Sequence, residues 1–432
     1  MKRAGGVRSE AVDVAIVGGG PAGLAAATHV RRAGAGRVLI LDREPEPGGI
    51  PRHAKHQGFG IRDLHRVVSG RRYAALVAER AVDSGAELRT EAQVTGWGRD
   101  GSLEVTSPSG RSTLEAKAVV LATGCRERPR SARLLPGSRP QGVMTTSMLQ
   151  QLVYLRGERP GRRAVIVGAE HVSFSALLTL AHGGARAVAM ATDQPAHQTL
   201  SLFRAGAAIR YRTRVLTQTS VSAIRGRRRV EAVELTNLDT GEAREVTCDL
   251  VVFTGDWIPD HELAVLAGIE LDPLTMGPVV DPSLRTTRPG VFAAGNLLHG
   301  AEAADVAALD GRHSAVAVAR YLEGEPWPES RVPVECTAPL GWIAPNAVSL
   351  PADPESAPPR GRFLLRAAEA LASPRIELLQ DGRRLWDGRL RRLGPGRSTR
   401  IPSGWTSEVD TRGGPVTVRL RQGARVDTAL AD

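Results

Sequence analysis

The chain has 432 residues, 42% of them hydrophobic and 4% aromatic, which is too long for one core and predicts two or three domains of ordinary soluble composition. Its formal net charge of +11 comes almost wholly from arginine, with lysine only at Lys2, Lys55 and Lys117, so coding bias in an Ala- and Gly-rich chain explains it as well as an anionic partner does. Runs such as RGRRR at 225–229 read as solvated turns, and no nucleic-acid partner is expected.

The basic N-terminus meets only the short apolar stretch VDVAIV before glycines interrupt it, unlike a signal peptide. No segment approaches the ~18 consecutive apolar residues of a transmembrane helix, so no membrane insertion and a cytoplasmic location are expected. Residues 12–17 then predict a buried strand, 21–33 a helix and 37–42 a second strand. Gly18-x-Gly20-x-x-Gly23 occupies the first turn of this βαβ unit. Glycines at that spacing permit the tight turn, let a pyrophosphate approach the backbone, and let the helix pack closely on the strand. The phosphate would rest on the N–H groups at the helix N-terminus, opened by Pro21 and Ala22. Asp42 ends the second strand, where an acid is placed to accept ribose hydroxyls.

Further on come PEPGGIPRH at 45–53, AKAVVLATG at 116–124 and TRPGVFAAGN at 287–296, the last leading into an Ala-rich segment. With these segments in this order, the chain resembles the pyridine nucleotide–disulfide oxidoreductase superfamily over about residues 12–325. The resemblance implies an α/β fold of two Rossmann-like dinucleotide-binding domains, an FAD domain with a nicotinamide-type domain inserted into it, and FAD as cofactor. The implied cofactor contacts are Gly18, Gly20, Pro21, Ala22, Gly23, Asp42, Arg43, Gly49, Arg52, Ala122, Thr123, Gly124, Gly295 and Asn296. Asn296 stands where the family usually has an acid, and its amide oxygen can still accept from a ribityl hydroxyl. Expected domains are 1–144 and 261–325 for the two FAD parts and 145–260 for the insert. Residues 326–432 read as a small C-terminal β-rich domain, because Asp-Gly pairs punctuate RIELLQDGRRLWDGRLRRL at 375–393. Its Trp342, Trp386 and Trp405 are candidate contacts that also suit a core.

In the insert, AVIVGAEHVSFSAL at 164–177 repeats the first turn with Gly168 kept and with Glu170 and Ser173 at the other two glycine positions. The Glu170 carboxylate would repel a pyrophosphate, and only Ala191 or Thr192 precedes Asp193 where an acid should end the next strand. The insert is expected to keep the fold with lost or altered dinucleotide affinity, and NAD(P) binding stays open.

Cys125, Cys248 and Cys336 lie far apart without a CxxC pair, which argues against a disulfide framework or a metal site. The family's redox cysteines are missing from GGIPRHAKHQGFG at 48–60, so disulfide-reductase activity is not expected and electrons should pass directly to and from the flavin. His53 and His56 in that run, and His299 in GNLLHGAEAAD, are candidate catalytic proton carriers. CRERPR at 125–130 and the GGIPRH loop resemble a subgroup that includes FAD subunits of opine- and sarcosine-type oxidases and glycerol-3-phosphate dehydrogenase-associated proteins. That resemblance implies a small amino or hydroxy compound as substrate and a partner oxidoreductase subunit. The alternatives left open are an NAD(P)H-dependent flavin reductase and a flavin-bound, non-catalytic assembly subunit.

Overall fold

A computed structural model describes residues 8–199, 209–350 and 357–421. The described residues divide into two compact units, one of residues 8–52, 57–125, 259–350 and 357–421, the other of 53–56, 126–199 and 209–258. The expected α/β fold with two Rossmann-like sheets is present.

The first unit is built on a seven-stranded sheet in which Glu87–Arg89, Val38–Leu41, Arg8–Val17 and Gly110–Leu121 are neighbours in that order. The first strand starts at Arg8 rather than Val12, because Arg8 to Val12 pair in parallel with Ser112 to Ala116. Gly110–Leu121 serves two partners: its first half runs antiparallel to Leu103–Ser107, and its last residues run parallel to Val291–Ala293. The carboxyl ends of three parallel strands, at Val17, Leu121 and Ala293, therefore fall on one side of the sheet, the side where ligands of such sheets sit. Two helices cross there. Pro21–Arg32, with Pro at its first position, and Ala304–Leu322 approach so closely that a Cβ on Gly311 would lie 1.9 Å from the Ala22 carbonyl oxygen.

The C-terminal β region belongs to the same compact unit. A five-stranded sheet and the three-stranded sheet Leu340–Ala344, Arg362–Ala367, Thr399–Pro402 enclose a core of Phe363, Leu365, Ile376, Leu378, Ile401, Trp405 and Val418. Trp405 packs on Phe363 with centroids 4.7 Å apart, and Trp386 borders the same core. Of the two Asp-Gly pairs, Asp381-Gly382 is a hairpin turn, both residues having positive φ (49° and 81°). Asp387-Gly388 is not a turn: it lies inside the strand Arg383–Arg389, where a Cβ on Gly388 would collide with the Trp386 ring.

The second unit holds an all-parallel five-stranded sheet in the order Val143–Thr145, Leu250–Phe253, Arg163–Val167, Arg186–Ala191, Val215–Leu216. The antiparallel meander Thr219–Arg225, Ala232–Asn237, Ala243–Thr247 accompanies it.

Candidate functional site

In the first unit, Gly18 adopts φ +112°, and a Cβ there would sit 2.3 Å from the Ala122 carbonyl oxygen. A Cβ on Gly23 would lie 1.9 Å from the Gly18 oxygen, so the turn closes only without side chains at either position. Gly20 differs. Its backbone is extended (φ −84°, ψ −177°), a conformation open to any residue, and a Cβ there would meet nothing within 4 Å. Only the space in front of the helix N-terminus calls for a glycine at Gly20, and that space suits a phosphate.

Asp42 is buried behind this turn. Its Oδ2 accepts from Gly19 N and its Oδ1 from Glu44 N, both at 2.8 Å, leaving further lone pairs on the carboxylate. Burial pushes its pKa up, and those two backbone donors pull it back. Gly48 N donates to Gly19 O at 2.7 Å, and a Cβ on Gly49 would lie 3.1 Å from the Gly20 Cα, so the 45–49 loop rests on the phosphate turn. Arg52 is buried and held to the Glu46 carbonyl and the Glu44 carboxylate, while Arg43 is exposed, 3.7 Å from Asp260. Thr123 Oγ1 donates to Asp260 O at 2.8 Å, and Asp260 N donates to the Gly124 carbonyl, fixing the end of that strand.

Gly295 (φ +75°) faces Ala22, whose Cβ would be 2.6 Å from a Cβ placed on it. Asn296 closes a small ring with Glu302: its Oδ1 accepts from Glu302 N at 2.9 Å and its Nδ2 donates to Glu302 O at 3.3 Å. His299 is fully buried, Nδ1 facing the Gly300 carbonyl, and its ring stacks on Trp342 at 4.6 Å and 17°. Burial drives its pKa down, against a smaller upward pull from Glu302 and the Gly300 carbonyl. His53 is buried and His56 half-buried, and both belong to the second compact unit. No cluster of three or more His, Cys, Asp or Glu among the described residues could hold a metal ion, and no described helix is long and apolar enough to cross a membrane.

The turn of the second unit repeats the backbone of the first. Gly168 takes φ +134°, and Glu170 caps its helix at φ −92°, ψ −179°, nearly the dihedrals of Gly20. The side chains undo the likeness. The Glu170 carboxyl folds back into the turn, its Oε2 2.7 Å from where a Gly168 Cβ would be and its Oε1 3.0 Å from that of Gly255. Ser173 and Thr254 hydroxyls meet at 2.6 Å beside it, and Thr254 Oγ1 donates to Val167 O. Burial raises the Glu170 pKa, against a weaker pull from these hydroxyls, and its Oε1 is sealed without a hydrogen-bond partner among the described residues. Thr192 stands where Asp42 stands in the first unit and repeats its local bond, accepting from Gln194 N at 3.3 Å. Glu127, the acid of CRERPR, is also buried here: Ser147 N donates to its Oε2, and burial lifts its pKa to about 7.

The three cysteines are free thiols. Burial pushes Cys248 up to about 12 and raises Cys336 as well, so neither is a ready thiolate.

The model of the pyridine nucleotide-disulphide oxidoreductase family matches residues 12–311. The chain belongs to that family. It is 30% identical over 324 residues to thioredoxin reductase of Treponema pallidum (strain Nichols), across 72% of this chain and 97% of that protein. An opine oxidase subunit of Rhizobium meliloti is 28% identical over 346 residues, with 71% of this chain matched and 62% of that subunit's length spanned. Among solved structures, thioredoxin reductase of T. acidophilum superimposes with a TM-score of 0.60 at 24% identity, covering 72% of this chain and 98% of its own. The chain is thus an oxidoreductase of a family that binds FAD, and its first turn suits that cofactor. The family match ends within the Ala304–Leu322 helix, ahead of the C-terminal β region.

Proposed function

We propose that this chain is a cytoplasmic FAD-dependent oxidoreductase that draws electrons from a small amino or hydroxy compound, or relays them, as one subunit of a larger dehydrogenase or oxidase. The observation that carries the reading is the contrast between the turns: open space before Gly20, and at the matching position of the second unit the Glu170 side chain, its carboxyl folded back onto Gly168 and Gly255. When bound, FAD supplies a two-electron acceptor. Gly18 to Gly23 and the helix N-terminus hold its pyrophosphate, Asp42 takes ribose hydroxyls on its remaining lone pairs, and Asn296 offers its amide to the ribityl chain. Without a CxxC pair anywhere in the sequence, the electron path has no dithiol relay. The name of the opine oxidase subunit supports both the substrate class and the existence of a partner chain.

Anaerobic titration of the purified chain with a panel of small amino and hydroxy acids, with and without a co-purifying partner, tests this. Bleaching of the flavin absorbance by one member supports the reading. Bleaching by NADH or NADPH alone favours the flavin-reductase alternative, and turnover confined to the partner favours an assembly subunit.

A further inference from the structure

We propose that Arg366, supplied by the C-terminal β region, is the donor that meets the electron-accepting ring of bound FAD and stabilises its reduced form. The argument rests on FAD binding at the first turn and begins with strand alternation. In Arg362–Ala367, Phe363 and Leu365 enter the C-terminal core, so Leu364 and Arg366 face the other way. On that outer face Leu364 clusters with Trp342 and Ala344, and Trp342 covers His299. The sheet is therefore laid on the 295–304 segment.

Arg366 is the polar centre of this contact. Its Nη2 donates to Glu302 Oε1 at 3.1 Å and to Ala301 O at 3.4 Å, and its guanidinium lies 4.8 Å from the centre of the Trp342 ring. Ser398 Oγ holds the same Glu302 oxygen at 2.5 Å, and the Glu302 backbone is tied to Asn296. Arg366 also lies within electrostatic reach of Cys125, just past Ala122–Gly124. The guanidinium thus sits beside the segments that lead away from the carboxyl ends of two adjacent parallel strands, Gly110–Leu121 and Val291–Ala293. The ring end of a dinucleotide whose pyrophosphate sits at Gly18 to Gly23 extends along those strand ends.

Arg366 Nε is buried with no acceptor among the described residues. A buried N–H of a guanidinium left unpaired is costly, and a flavin ring edge offers carbonyl and nitrogen acceptors. Two-electron reduction puts negative charge on that edge, which a fixed cation stabilises more than it stabilises the neutral oxidised ring. Glu302, by neutralising part of the Arg366 charge, tempers the effect.

The test is the flavin midpoint potential of the FAD-loaded full chain, measured by anaerobic dye equilibration, alongside the FAD dissociation constant. Arg366→Gln should lower the ratio of reduced- to oxidised-flavin affinity at least tenfold, about 30 mV for a two-electron couple. Arg366→Lys should recover most of that shift, and Glu302→Gln should move the potential the opposite way. An unchanged potential in Arg366→Gln with FAD bound overturns the proposal. Should that variant lose FAD, unmoved potentials in both Arg366→Lys and Glu302→Gln overturn it equally. A wild-type chain that takes up no FAD refutes instead the cofactor reading beneath it.

Discussion

The two βαβ turns share a backbone and part company in what fills it. Glycine persists where the dihedral demands it, at Gly18 (φ +112°) and Gly168 (φ +134°). It is replaced by Glu170 at the Gly20 position, where the chain is extended and dihedrals differ by about ten degrees at most, and by Ser173 at the helical Gly23 position, where the Thr254 hydroxyl receives the side chain. Fold and ligand thus impose separate requirements on one motif, and losing the second leaves the first intact. The Ser173 and Thr254 hydroxyls pair where the helix packs, and the Glu170 carboxyl folds back onto Gly168 and Gly255.

Moving the second turn's residue into the first breaks the comparison most forcefully. Gly20→Glu should fold, since its dihedrals suit any residue. It should weaken FAD binding at least ~100-fold, about 2.8 kcal/mol, through bulk and charge facing the phosphate. Flavin content after purification and the melting temperature of the apo-protein check both halves.

The acids of the second unit set a pH dependence. Burial raises Glu127 from its ordinary 4.5 to about 7, and Glu170 acts electrostatically in the same direction. Below about 4.5 the carboxyl is protonated whether the chain is folded or not, and it costs nothing. As pH rises toward 7 the unfolded chain ionises first, so stability falls, by roughly 3 kcal/mol once both states are ionised. Glu127→Gln keeps an acceptor for Ser147 N and removes the titration. Its stability advantage over the parent should therefore grow between pH 5 and 7.5 in denaturant unfolding, and a constant difference counts against a buried, raised carboxyl.

Opening the second turn is the subtler experiment. Glu170→Gly with Ser173→Gly should improve NADH affinity about tenfold, ~1.4 kcal/mol, at a helix cost near 0.5–1 kcal/mol for the glycine at 173. Glu170→Gln, which keeps the volume and drops the charge, should gain little. A Gln variant that matches the double glycine would assign the closure to charge rather than to filling. Smallest of all, replacing Cys125, Cys248 and Cys336 together by Ala should leave flavin reduction by the true donor within about twofold in stopped-flow traces, since the sequence holds no CxxC pair to relay electrons.

The FAD turn was legible because its requirements are local: a φ value, a carbonyl within 2.3 Å, an acid at the end of the next strand. The α/β architecture followed from the same short-range signals. The direction of the Glu170 side chain was not legible. The residue type announced repulsion, whereas the structure has the carboxyl curled onto Gly168 and Gly255, which depends on the facing strand. Nor did any spacing announce Arg366 and Glu302, which lie 64 positions apart and meet because an outer sheet face packs on a helix lead-in. Asp387-Gly388 looked like a turn and is strand, its glycine making room for Trp386.

The contrast between an open and a filled turn is tested most directly by rapid anaerobic mixing of the FAD-loaded chain with NADH or NADPH while following flavin absorbance. The account predicts no reduction, or only slow reduction at millimolar nucleotide, with FAD retained throughout. Rapid bleaching by micromolar NADH would contradict it, because a nucleotide would then be reaching the flavin past the carboxyl of Glu170.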